Sequence, residues 1–471
     1  MNISILQFAL NLAEEIYQRA ERGEIKDLDI MAEAVLKDCK ETANQMIQEI
    51  IRHMNEGFRE DKQTRKEMGL VLKEKDRPRR LLTAIGQIDF ERDYFFDKEK
   101  GGYVCILDQM LGIAKYERVG AAVGAALVSE AAKVSYARSA DIVTGGEVSR
   151  QTVRNQILKV ETPEIEAEGE TRSIKELHLH ADEDHAHMQK PGKEKGKKSQ
   201  IIPLVTITEG MEEVSKGRNR TIRPVHFSDE DFDTKNLWKS VEGYIGKSYD
   251  LEELEKIYVH GDGAPWIKSG LGNLVQTIHV MDGFHFYKEL RKISKMLPHR
   301  HVRVALTNAL KYNNRKRADE YIQELLEEKL TKDEAEKIRK FAVYLLGNWE
   351  EIRRRIAEDS LPGSCTEGLI SHVLSDRFSR DPLGWSEEAL GKLVMIRIYL
   401  KNGGELAKEH FRQGREIKEK HSEYADRLIE EHLKGAVDFS MFEPEHPIFD
   451  GASGTQIAIA GIGQMRNHLW Q

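Results

Sequence analysis

"KIYVHGDGAPWIKSGLGNLVQTIHVMDGFHF" (residues 256–286) carries two apolar runs of strand length, each ending on an aspartate, Asp262 and Asp282. A short helical stretch to Leu274 joins them, and a helix opens at about Phe284. Strands linked by such a crossover pair in parallel, because a tight hairpin can only return a strand antiparallel. Upstream the pattern differs. "ELHLHADEDHAHM" (176–188), "SQIIPLVTITEG" (199–210) and "RTIRPVHFSD" (220–229) are three β-rich runs separated by charged, Gly-containing turns. A helix follows, with Leu237, Val241, Tyr244 and Ile245 on one side. Three meandering strands, then helix, strand, helix, strand, helix, is the connectivity of an RNase H-like core. The fold class read from it is α/β, with a five-stranded mixed sheet.

Outward from this core, residues 1–75 read as helices, with Ile30, Ala34, Cys39, Ala43, Met46, Ile50 and Met54 recurring at helical spacing. Residues 76–115 form a small β element, in which the alternating run 81–97 takes residues 101–108 as its hairpin partner. Residues 116–160 have the plan of a helix-turn-helix: an Ala-rich helix, a short helix over 135–143, a Gly145-Gly146 break, and a third helix from Ser149. Its exposed Arg150, Gln151, Arg154 and Asn155 are the side-chain types that reach base edges in a major groove. Residues 161–173 are acidic, lack apolar periodicity and read as a linker. The core's first part spans 174–299, an all-α insertion 300–360, and the core's last part 361–404. Residues 405–471 give a C-terminal helix and a Gly-rich tail.

The chain's 471 residues are ample for several cores, and Cys39, Cys105 and Cys365 are too few and too scattered for a disulfide framework. No run of about 18 uncharged apolar residues marks a membrane span, and the N-terminus lacks the basic start and apolar block of a signal peptide. A cytoplasmic protein is expected. The formal net charge is −8, yet Lys and Arg total 72 and gather in "KEKDRPRR" (73–80), "KPGKEKGKK" (190–198) and "KYNNRKR" (311–317). Each run alone reads as a solvated loop, although any could hold a phosphate backbone.

Two-metal phosphoryl transfer needs carboxylates from separate chain segments around two hard divalent ions, Mg²⁺ or Mn²⁺. Asp182 leaves the first strand and Asp262 the fourth, which lie side by side in such a sheet; Glu367, in the first turn of a helix after the break at 361–365, shares a face with Ile370 and Leu374. Singly, each has a plainer reading: a hairpin cap, a Gly-flanked turn, and a capping box over Ser364 to Glu367. Together, three acids at the ends of one sheet favour chemistry. Asp184 is in phase with Asp182 on an extended strand and is the alternative first ligand.

The strand "ADEDH", "HGDGAPWI", "HVMDGFHFYKEL" and "CTEGLISHVLSDRFSRDPLGW" resemble the DDE transposases of bacterial insertion sequences, particularly the ISLre type, from the N-terminal helices to about Gly403. The resemblance implies that Asp182, Asp262 and Glu367 are the DDE triad, and that Asp282 and His285 match a C/D-x-x-H signature following the second aspartate. It also implies that residues 300–359 are the all-α insertion that such enzymes carry before the final glutamate. DNA would be the partner, as terminal inverted repeats and as target, handled by a homodimer or larger synaptic assembly.

Four histidines, His178, His180, His185 and His187, surround Asp182. The pair His178 and His180 could bind zinc in a metallohydrolase, but that architecture needs repeating strand-helix units this chain lacks. Outer-shell or DNA-facing roles fit these two better, and a surface position fits His185 and His187. A transposase-derived DNA-binding protein without activity is the other alternative.

Overall fold

The computed structural model describes residues 5–23, 27–167, 169–189, 198–215, 218–270, 276–358, 361, 365–381 and 383–411. They fall into two compact units, one within Met1–Gly124 and one of Ala125–His410. No described helix is long and apolar enough to cross a membrane.

The first unit opens with helices α1 (Ile5–Glu21), α2 (Leu28–Glu60) and α3 (Lys62–Glu67). The Asp27 carboxylate starts α2 by accepting from the N–H groups of Asp29 and Ile30, two of the donors that a helix N-terminus leaves open. Strands β1 (Leu70–Thr83), β2 (Gly86–Asp97) and β3 (Gly102–Val104) then form an antiparallel sheet, closed by the short helix α4 (Ile106–Met110). Ile51, Met54 and Phe58 of α2 pack on Ile88, Phe90 and Phe95 of β2 and on Ile106, Leu107 and Met110 of α4.

The hairpin expected between residues 81–97 and 101–108 is not the main pairing that forms. The main partner of the run 81–97 is the upstream strand β1, and only residues 102–104 return on its other side. "KEKDRPRR" is thus strand rather than loop. Its middle is exposed on both faces, so no apolar alternation announced it.

In the second unit α5 (Ala121–Ala131), α6 (Tyr136–Thr144) and α7 (Arg150–Lys159) take the expected places. Ser135 and Ser149 cap the last two, and Gly145, at φ +61°, ends α6 in the left-handed conformation that glycine adopts without strain. The main sheet has the order β10-β9-β4-β5-β8, made of β4 (Glu176–His187), β5 (Ser199–Thr208), β8 (Val225–Phe227), β9 (Lys256–Gly261) and β10 (Gln276–Met281). Strands β4, β5 and β8 pair antiparallel, while β9 joins β4, and β10 joins β9, in parallel. The expected third strand, 220–229, divides: β6 (Met211–Ser215) and β7 (Arg218–Thr221) make a separate two-stranded ribbon, leaving the three residues of β8 to the sheet.

One sheet face is apolar. Leu177, Leu179, Ala181, Val205, Ile207, Ile257 and Val259 pack against Leu237, Trp238, Val241 and Ile245 of helix α8 (Thr234–Ser248) and against Ile267 of α9 (Pro265–Lys268). Each larger side chain buried there contributes about 1.5–3 kcal/mol. Beyond β10 come α10 (Gly283–Met296), α11 (Val302–Lys311), α12 (Arg315–Leu326), α13 (Lys332–Gly347) and α14 (Trp349–Ala357), which share a core of their own. Arg354 of α14 ties this bundle to the sheet by donating to the His279 carbonyl of β10 at 2.8 Å. After it α15 (Thr366–Ile370), a π-helical turn over Ser371–Ser375, α16 (Asp376–Phe378) and α17 (Glu387–Lys401) complete the unit. Ser364, the first residue of the expected capping box, and residues 412–471 lie outside the described residues.

Candidate functional site

The second face of the sheet is polar and also buried. His178, His180 and Asp182 alternate with Leu177, Leu179 and Ala181 along β4, and all three are buried. At the end of this row, ligand atoms of Asp182, His285 and Glu367 lie within 4.8 Å of one another. Among the described residues this is the one set of three or more His, Cys, Asp or Glu side chains gathered closely enough to share an ion. Strand β4, helix α10 and helix α15 each supply one of them.

Asp262 stands at the end of β9, directly beside β4, and its carboxylate accepts from the Ala264 N–H at 2.9 Å. The glycines on either side serve different needs. A Cβ on Gly261 would come within 2.9 Å of Ile267 Cδ1 and 3.0 Å of the Ala181 carbonyl, so its absence lets β9 and β4 approach. Gly263 has φ +86°, which turns the chain into α9. Asp282 follows β10. Its N–H donates to the Gly261 carbonyl at 2.7 Å, and its carboxylate caps α10 through the Phe284 N–H at 2.9 Å. One turn on, His285 Nδ1 is 3.7 Å from Asp282 Oδ2.

These neighbours shift each other's protonation. Burial pushes the Asp182 carboxyl up to about 7, and nearby Asp262 and Asp282 push the same way against the Glu183 N–H and His285. Asp282 raises His285 above the usual imidazole value, and Asp182 and Asp262 add to this against partial burial. A buried carboxylate facing further acids is costly to ionise, and a divalent cation would reverse that cost. The carboxylate oxygens of Asp182 and Glu367 are donors that fit such a hard ion, with His285 beside them.

Behind the acids the histidines form a packed layer. The Arg355 guanidinium of α14 donates to His260 Nδ1 at 2.7 Å and also to the Met281 carbonyl. Arginine only donates, so the His260 proton sits on Nε2 and is given to His178 Nδ1, 3.1 Å away. His180 stacks on His260 with ring centroids 4.8 Å apart and touches Thr366 Oγ1 and Cys365 Sγ at 3.4 Å each. Burial holds all three neutral, pushing His180 down to about 3 and His178 and His260 below the usual value. It also pushes the Cys365 thiol up to about 12, which makes it a packing group rather than a nucleophile.

The structure therefore brings Asp182 and Glu367 together across 185 residues, with Asp262 at the adjoining strand end and His285 among them. Asp184 is set apart: it accepts from Ser379 Oγ at 2.8 Å and from its neighbour's backbone. Of the two roles expected for His178 and His180, outer-shell or DNA-facing, burial excludes the second: Cys365 and Thr366 lie against His180, and His260 and Tyr258 against His178. His185 and His187 are exposed, as expected. On α7, Arg150, Gln151 and Asn155 are exposed, whereas the Arg154 guanidinium is held by Glu388 of α17 at 2.9 Å. Arg355, His260 and Cys365 went unread in the sequence. His260, two residues before Asp262 and in phase with it on a strand, carried the available signal.

Two relatives from Caldanaerobacter subterraneus subsp. tengcongensis, both called UPF0236 proteins, are 34% identical over 413 residues (86% of this chain and 86% of the relative) and 33% identical over 407 residues (85% and 84%). The solved Drosophila P element transposase strand transfer complex aligns with 70% of this chain and 87% of its own, at 13% identity and a TM-score of 0.22, which is too low to carry an argument. The model of the uncharacterised protein family UPF0236 matches residues 24–415, and the chain belongs to that family.

Proposed function

We propose that this protein is a DDE-type transposase, which cuts a DNA strand at the end of an insertion sequence and joins it to a target. The observation that carries the reading is the convergence of Asp182 and Glu367, with His285, beside Asp262 on the next parallel strand of a five-stranded mixed sheet. That strand order supports the reading of an RNase H-like core. A second support comes from the family: one relative, 31% identical over 437 residues, has a name that joins eleven locus designations of one organism. One protein at many loci is the trace left by an element that copies itself.

In this reading Asp182, Asp262 and Glu367 would hold two Mg²⁺ or Mn²⁺ ions, whose charge stabilises attacking and leaving oxygens. A water oxygen bonds to phosphorus, the bond to the 3′-oxygen breaks, and the proton lost by water is balanced by the proton gained on that oxygen. The freed 3′-hydroxyl then attacks a target phosphodiester in the same manner. His285, raised above the usual imidazole value by Asp282 beside it, would donate a hydrogen bond to the phosphate. The neutral histidine layer fixes the strand ends without adding charge. Exposed Arg150, Gln151 and Asn155 of α7 read the terminal repeats, and a dimer or larger assembly holds two ends.

The test is metal-dependent cleavage of labelled DNA containing the sequences that flank the gene, comparing wild type with Asp262→Asn and Glu367→Gln. The expected result is a defined cut with Mg²⁺ or Mn²⁺ that either substitution abolishes, by at least about a thousandfold, while DNA binding survives. Specific binding without cleavage in the wild type would indicate a retired enzyme. Tightly bound stoichiometric zinc without DNA binding would overturn the reading.

A further inference from the structure

Helix α10 leaves the candidate site as a two-sided element. Its inner side, Phe286, Leu290 and Ile293, is buried in the insertion's core. Its outer side bears Phe284, Tyr287, Lys288, Arg291 and Lys295, all exposed and following one another at helical spacing. Two of these are large aromatic rings, 46% and 38% exposed, although a soluble helix normally turns such groups inward. Each ring lies under a cation: Lys288 Nζ is 5.5 Å from the Phe284 ring centre, and the Arg303 guanidinium of α11 is 5.7 Å from that of Tyr287.

Charge sets this region apart from the chain around it. Residues 283–311 hold seven Lys and Arg against one acid, Glu289, a local balance of +6 in a protein whose net charge is −8. Glu289 is occupied by Lys292, and Arg300 by Glu324 and Glu328. Lys288, Arg291, Lys295 and Arg303 have no acidic partner among the described residues. The stripe begins beside the site, since Phe284 packs edge-on against His285, with ring centroids 5.6 Å apart, and its N–H is held by Asp282.

We propose that this face of α10, completed by Arg303, is a track for an unpaired segment of the DNA strand next to the scissile phosphate. Phe284 and Tyr287 stack on its bases, and Lys288, Arg291, Lys295 and Arg303 neutralise its phosphates. The partner class follows from the pairing of features. Base faces stack on aromatic rings only where bases are out of the duplex, whereas cations alone hold duplex and single strand alike. The inference rests on the DNA-processing reading for the strand's identity, and on the stripe itself for its chemistry.

The full-length protein is titrated with a labelled oligothymidylate and with a random-sequence duplex at several salt concentrations, as wild type, Phe284→Ala, Phe284→Leu, Tyr287→Ala and Arg291→Gln. Phe284→Ala and Tyr287→Ala are expected to weaken single-strand binding by about tenfold or more each, with duplex affinity nearly unchanged. Phe284→Leu, which keeps apolar bulk beside His285, recovers little of the loss if the ring face is what binds. Arg291→Gln lowers the salt dependence for both probes by about one ion. Equal losses on both probes from the aromatic variants, or no loss on either, overturn the proposal, as does full recovery by leucine. Asp262→Asn separates the two readings. If it cuts DNA like wild type while the aromatic variants lose single-strand binding, the assignment of the acids fails and the track stands; if it is inactive while they bind normally, the track fails alone.

Discussion

A proton on one imidazole is set by an arginine from another part of the fold. Because Arg355 occupies His260 Nδ1, both His260 and His178 carry their hydrogens on Nε2. Nitrogen-15 NMR of the imidazoles at pH 7 should show both as Nε2–H tautomers, with a mixture appearing in Arg355→Met; a mixture already in the wild type would refute the arrangement. A separate histidine predicts acid sensitivity. Burial, aided by Lys401, pushes His226 down to about 4, while its ring meets Thr206 Oγ1 at 2.8 Å. Between about pH 6.5 and 4 the unfolded chain binds a proton there that the folded chain refuses. Stability from this group is therefore complete above pH 6.5 and declines as pH falls. Urea midpoints at pH 7 and pH 5 should show wild type losing about 2 kcal/mol more than His226→Gln over that interval. At this scale Asp262 and Glu367 were legible, at the end of a strand and in the first turn of a helix, whereas Asp182, expected to leave the first strand, lies inside β4, which runs on to His187. The histidine layer was not legible. Alternation of apolar and polar residues suggests one wet sheet face, but Arg355, Cys365 and Thr366, remote in the chain, cover this one.

Two buried arginines connect elements that sequence patterns describe separately. Arg397 of α17 donates to the Val373 carbonyl, to that of Ala132 at 2.6 Å and to that of His372 at 2.9 Å. Arg377 of α16 donates to the Ala131 carbonyl at 2.8 Å and lies over the Trp385 ring. The open carbonyls at the end of α5 and those of the π-helical turn after Glu367 thus share one set of donors. Arg397→Met would leave several buried carbonyls without partners, and a loss of about 3 kcal/mol or more is expected in urea unfolding, with no change ruling out the arrangement. Gly261→Ala acts on the other side of the site. Its added Cβ meets Ile267 and the Ala181 carbonyl, so it should part β9 from β4 and reduce cleavage at least tenfold while costing only about 1–3 kcal/mol of stability. Helices were the readable elements, because capping serines and Gly145 mark their ends. Strand β1 was hidden by its own exposure, and the third strand was read too long because β7 takes the first residues of its run.

At the scale of the chain, charge and connectivity carry different lessons. A net charge of −8 argues against general attraction to DNA, so the proposed track on α10 and α11 would act by placement rather than by total charge. The division near Gly124 leads to a further expectation: residues 121–411 expressed alone should unfold in one cooperative transition, seen in a thermal melt as one sharp change. A broad, non-cooperative melt would show that this unit depends on the first. The sheet order was legible because each crossover has few solutions, whereas the anchoring of α5 to α17 depends on contacts over more than 240 residues, which no local pattern carries. That anchoring bears on how the protein comes off the ribosome. Helices α5 to α7 are made early, but Arg377, Arg397, Glu388 and Lys392, which hold them, are made after Glu367. A nascent or prematurely ended chain therefore lacks the mount for helices α5 to α7 until Glu367 has also been added. On the proposed function, recognition and cutting would mature in a single late step of synthesis, and unfinished products would be left without either.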